Sequence, residues 1–114
     1  MKKGLHHLSR DEKEIVESFV EDLRNTLGNE IVKIVLFGSK TRGDFREESD
    51  IDIFILVREK TLDIIDKVGD LTADHIFNGD IPLSPVLYDL FEYQKNKELG
   101  SFFFENVEKE GISL

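Results

Sequence analysis

The chain has 114 residues, 39% of them hydrophobic and 34% charged, which fits one folded domain and excludes a disordered chain. Fifteen basic against twenty-four acidic residues leave a net charge of −9. A protein that grips nucleic acid by its phosphates carries the opposite balance, so no direct nucleic-acid binding is expected of the chain alone.

Cysteine is absent, which removes disulfides and thiolate metal sites from consideration. No apolar run approaches the roughly 18 residues of a membrane span, and Met1–His7 has no apolar segment behind its lysines. A cytoplasmic location without a membrane partner is the expectation.

In chain order, Ser9 and Glu12 form a capping box, and Ile15, Phe19, Leu23 and Leu27 recur every four residues, which predicts a first helix ended by Gly28. Ile31–Phe37 is β-branched and almost wholly apolar, a strand buried on both faces. Ile51–Val57 is a second such strand. Thr61–Phe77 reads as a helix offering Leu62, Ile65, Val68, Leu71 and Ile76 to the core, although Gly69 weakens it by about 1 kcal/mol relative to alanine. Asn78-Gly79-Asp80 is a turn. Ile81–Tyr88 contains Pro82 and Pro85, so an edge or interrupted strand is expected there. Asp89–Glu110 suggests one or two short helices divided near Gly100, with Gly111 as the stop. The order α-β-α-β-α-β implies a small sheet covered by helices.

The chemistry sits between the first two strands. A buried strand runs into Gly38-Ser39, and residues 40–43 are expected to form a helical turn. Gly38 would let backbone approach a ligand that a Cβ would obstruct, and the unpaired amides at the start of the turn favour an anion. Ser39 adds a hydroxyl and Arg42 a charged fork. Asp50 and Asp52 stand two apart on a strand, so both carboxylates leave one face. At roughly 6–7 Å they would repel by about 2–3 kcal/mol at an effective dielectric near 20, a penalty that magnesium removes. Beyond them the same face becomes Phe54 and Leu56, which places the acids at the strand end. Lys40-Thr41 is not the end of a P-loop, because Ser39 stands where glycine is required.

Gly38-Ser39-Lys40-Thr41-Arg42-Gly43 followed by Ser49-Asp50-Ile51-Asp52-Ile53 resembles the signature of the DNA polymerase β-like nucleotidyltransferases, and the whole length resembles their minimal stand-alone members. The resemblance implies an α/β (strictly α+β) fold, a small mixed sheet covered by helices, with residues 1–114 as a single nucleotidyltransferase domain. It implies that Gly38 and Ser39 hold the phosphates of a nucleoside triphosphate, ATP by expectation, with Arg42 supporting the loop. Asp50 and Asp52 would be the catalytic acids and the ligands of magnesium. The implied reaction moves a nucleotidyl group, AMP, onto a hydroxyl of a partner macromolecule with loss of pyrophosphate. The implied partner is a helical HEPN-like protein, as for antitoxin members of the family.

A third carboxylate is part of the family pattern. Its expected strand, Ile81–Tyr88, carries Ser84 at the centre, while Asp80 and Asp89 only flank it. Ser84 supports an alternative reading, a degenerate interaction module acting as an antitoxin-type subunit. His6-His7 and His75 form no ligand cluster in the sequence, and Glu47-Glu48, Glu105, Glu108 and Glu110 read as solvated faces. Tyr88, Phe91 and Tyr93 read as core aromatics before base-stacking ones. Phe102-Phe103-Phe104 cannot all face one core, which leaves apolar area for a partner.

Overall fold

In the computed structural model, residues 8–38, 50–79 and 81–114 are described. The Ser9 hydroxyl accepts the Glu12 amide proton at 3.1 Å, and Glu12 Oε1 accepts that of Ser9 at 2.9 Å, so helix α1 (Arg10–Leu27) starts at the expected capping box. Its four-residue repeat buries Ile15, Phe19, Leu23 and Leu27, and Gly28 caps it by donating to the Arg24 carbonyl. A 3-10 turn, Gly28–Glu30, leads into strand β1 (Ile31–Phe37).

Strand β2 (Ile51–Val57) lies antiparallel to β1, and strand β3 (Leu83–Asp89) lies parallel to β2 after the crossover helix α2 (Leu62–Gly79). Helices α3 (Leu90–Glu98) and α4 (Phe102–Glu110) follow, and a short strand β4 (Ile112–Ser113) returns antiparallel to β1. The strand order is β3-β2-β1-β4, a mixed sheet as anticipated. Pro85 is tolerated because β3 is an edge strand.

The sheet separates two cores. Alternation along the strands sends Ile34, Leu36, Ile51, Ile53, Ile55 and Val57 against α1 and α2. It sends Val35, Phe54 and Leu56 against Tyr93 of α3 and Phe104 and Val107 of α4.

Four expectations need correction. Strand β1 is covered on both faces only at its centre, since Val32 is exposed. Helix α2 turns Ile64 and Val68 inward, with Leu71 partly buried, whereas Leu62, Ile65 and Ile76 face solvent. Asn78 and Gly79 belong to α2, because the helix continues until Gly79 meets the Ile15 side chain. The order among the described residues is α-β-β-α-β-α-α-β, because the tail forms two helices and then β4.

Candidate functional site

The first strand ends where the next two begin, and the candidate site lies at that edge of the sheet. Phe37 pairs with Asp52, and Asp52 pairs with Ser84, so one row crosses three strands. Asp52 shares its side of β2 with Phe54 and Leu56, and Ser84 shares its side of β3 with Val86 and Tyr88. The carboxylate and the hydroxyl therefore leave the sheet on the face covered by α3 and α4. Asp50 precedes the strand and is exposed, while Asp52 is half-buried. Between them Ile51 is fully buried and donates its amide to the Pro82 carbonyl at 2.9 Å, which fixes the start of β2 beside β3.

Gly38 follows β1 with φ +82°, a conformation that L side chains rarely adopt. A Cβ there would overlap Oδ2 of Asp52 and lie 3.2 Å from its Cγ. Glycine at this position thus has a cause inside the chain: the Asp52 carboxylate occupies the space of the missing side chain. Ser39 and Arg42 lie outside the described residues, as do Lys40, Thr41, Gly43 and Ser49.

The residue beside Asp52 on β3 is the serine, as the sequence implies. Asp89 stands five residues further on, opposite Val57, about 16 Å away along the strand. There it caps α3: its Oδ1 accepts from the Glu92 amide at 2.9 Å and its Oδ2 from the Lys60 amide at 3.3 Å. Asp89 is committed to folding, and Asp80 lies outside the described residues. Among the described residues no three or more His, Cys, Asp or Glu gather as a metal-ligating group.

Aromatic side chains buttress this edge. The ring of Phe37, one residue before Gly38, meets Phe103 edge-on at 5.4 Å. Phe103 in turn packs on Phe54 and Phe104. Of the three consecutive phenylalanines only Phe102 is exposed, and Phe104 is buried at helical spacing from Val107. As expected, the three do not share one core: Phe103 and Phe104 pack inward and Phe102 leaves apolar area exposed. The Phe104–Val107 spacing carries the signal that part of the run faces a core.

Tyr88 and Tyr93 belong to the same aromatic cluster, whereas Phe91 is exposed. The Tyr93 hydroxyl donates to Glu108, and Lys33 and Lys97 lie 5.1 and 5.2 Å from its ring centre. Burial first, then the Glu108 carboxylate, push the Tyr93 hydroxyl up to about 12. The same hydrogen bond from Tyr93, joined by one from Lys97, holds Glu108 below the usual carboxylate range. Glu108 is therefore part of a lock between α3 and α4 rather than a solvated face alone. His75 ties α2 to α1, with Nδ1 2.8 Å from the Leu71 carbonyl and Nε2 3.1 Å from Asp22.

Comparison with known proteins bears on this arrangement. Residues 21–114 match the family model described as "Polymerase beta, Nucleotidyltransferase". A Methanocaldococcus jannaschii protein named "Putative protein adenylyltransferase" is 33% identical over 102 residues, covering 89% of this chain and 96% of its own. Among solved structures, one from Sulfolobus solfataricus described as a "putative nucleotidyltransferase" superposes with a TM-score of 0.55 at 18% identity, over 88% of this chain and 76% of that one. The toxin–antitoxin MntA–HpeT mutant superposes with a TM-score of 0.54 at 21% identity, over 85% of this chain and 70% of its own. At these identities the two structures show a shared fold.

Proposed function

Because the chain belongs to the polymerase β-type nucleotidyltransferase family and is a minimal member of it, we propose that it binds a magnesium–nucleoside triphosphate, ATP, and transfers AMP to a hydroxyl of a partner protein. The observation that carries the reading is the half-buried Asp52 at the start of β2, set against a Gly38 whose missing side chain leaves room for its carboxylate. A charge held at a strand end, beside the turn that leaves β1, is what a phosphate-bound cation needs. Two carboxylates fit magnesium, which is commonly held by one or two of them together with substrate phosphates. In this reading Asp50 and Asp52 hold the metal, Gly38 and Ser39 cradle phosphate, and Arg42 supports the loop. The chemistry supplied by bound magnesium is activation of the acceptor hydroxyl and neutralisation of the leaving pyrophosphate. In the transfer, the acceptor oxygen bonds to the α-phosphorus as the bond to the β-phosphate oxygen breaks.

The adenylyltransferase name of the archaeal relative and the toxin–antitoxin structural neighbour support a protein acceptor or partner, for which a HEPN-like helical protein is the proposed class. The exposed Phe102 offers apolar contact area for it. A second reading is favoured by one observation, Ser84 in register with Asp52. A neutral hydroxyl there makes a weak magnesium ligand, which fits an interaction module that binds nucleotide without transferring it.

Calorimetric titration of ATP with magnesium tests the shared part. Binding should vanish when Asp50 and Asp52 are both changed to Asn. Unchanged affinity would remove the proposed site. Pyrophosphate release with hydroxyl acceptors then separates enzyme from module.

A further inference from the structure

Helix α2 is apolar on two faces, and only one of them is packed. Ile64 and Val68 enter the first core. About a third of a turn away run Leu62, Ile65, Gly69, Ala73 and Ile76, whose spacing keeps them on one side of the helix. Leu62 is 79% exposed, Ile65 40% and Ile76 37%, and Phe77 at the margin of this face is 88% exposed. A Cβ on Gly69 would meet nothing within 4 Å, so intramolecular packing does not explain a poor helix former in mid-helix. Large apolar residues at both ends and small ones between them let a second helix approach closely.

One margin of this stripe is acidic. Asp63, Asp66, Asp70 and Asp74 are all exposed along it, and the single lysine of the helix, Lys67, is tied to Asp63 at 2.8 Å. We propose that this face docks an amphipathic helix of another protein, about four turns long, whose apolar stripe is edged by Lys or Arg. Leu62 to Phe77 spans about 22 Å of helix, enough for such a segment. Charge complementarity selects the occupant. A second copy would bring together two chains of net charge −9, and antiparallel pairing of the stripes would set one aspartate row along the other. Anionic lipid and nucleic acid meet the same repulsion. The inference rests on the reading that the chain works beside a second protein, but it uses neither the nucleotide site nor Phe102.

The test places p-benzoylphenylalanine at Phe77 and, separately, at Phe102, with photolysis in cells of the source organism and sequencing of the cross-linked segments. The Phe77 probe should capture a segment with apolar residues at three- and four-residue spacing flanked by Lys or Arg. That segment, made as a peptide, should bind the purified chain. Asp66→Asn, Asp70→Asn and Asp74→Asn together should weaken it by about tenfold, and Ile65→Glu by more, with magnesium–ATP affinity unchanged. Circular dichroism confirms that each variant is folded, and a peptide indifferent to the aspartate changes overturns the proposal even where Ile65→Glu fails to fold. Capture of a second copy, of lipid or of an acidic-flanked segment also overturns it, as does no capture from Phe77. Capture from Phe102 alone sinks the α2 face and leaves the partner reading standing; silence from both removes both.

Discussion

Any side chain at position 38 must contend with the Asp52 carboxylate and with a φ of +82°. Gly38→Ala should therefore cost about 1–3 kcal/mol of stability through backbone strain alone. It should also displace the carboxylate, lowering magnesium–ATP affinity about tenfold or more. Lys40→Ala, which changes charge without touching Asp52 through position 38, should cost much less binding; equal losses in calorimetry would point to simple charge attraction. At position 84 the expected sign is reversed. Ser84→Asp adds an anionic oxygen ligand in register with Asp52, of the kind magnesium prefers, and should raise pyrophosphate release above that of the natural protein. Combining it with Asp52→Asn should abolish the gain. Fast transfer by the natural protein would show that two acids suffice.

The lock between α3 and α4 has its own pH dependence. Glu108 is held below the usual carboxylate range by Tyr93 and Lys97, so the folded state favours its charged form. Its contribution is complete above the carboxylate's ordinary range and is lost as pH falls through the depressed folded value. Glu108→Gln should flatten the acid side of a melting-temperature-against-pH curve, and Tyr93→Phe should partly do the same. On the alkaline side Tyr93 acts oppositely. Its raised hydroxyl stabilises the protein below its ordinary range, and that stabilisation fades as pH rises toward about 12.

Elements with a local signal were legible in the sequence: the Ser9–Glu12 box, the bounds of the two heavily apolar strands and the stop at Gly111 all stand as expected. Helix α2 misled, because two apolar faces give the same periodic signal whether they are buried or exposed. Strand β4 was not legible, since two residues carry no periodicity and its pairing with β1 is non-local. The placement of Asp50 and Asp52 at the start of β2 was legible from their spacing, and the position of Ser84 beside Asp52 followed from the family resemblance. The conflict between position 38 and Asp52 needed the turn's geometry, and the parts assigned to Ser39 and Arg42 fall outside the described residues.

The sheet works for the whole molecule as a partition with a different core on each side. Phe54 is fully buried at the centre of the second core, touching Tyr88, Tyr93, Phe103 and Phe104. Phe54→Ala should cost about 3–5 kcal/mol, a large part of the 5–15 kcal/mol typical of a domain, and urea denaturation would measure it. Since Asp52 precedes Phe54 on the same side of β2, nucleotide affinity should fall even in the folded fraction. The mixed sheet also bears on the order in time in which the site is assembled. Gly38 and Asp52 meet through the pairing of consecutive strands, whereas Ser84 joins only after α2 has carried the chain across to β3. Contacts distant in sequence close late, after the greater loop-closure entropy has been met. Destabilising changes at Ile34 or Leu36 should therefore mainly slow refolding, and those at Val86 or Leu87 mainly hasten unfolding. A chain emerging from the ribosome would set the carboxylate beside its glycine first, and bring the serine of β3 alongside later.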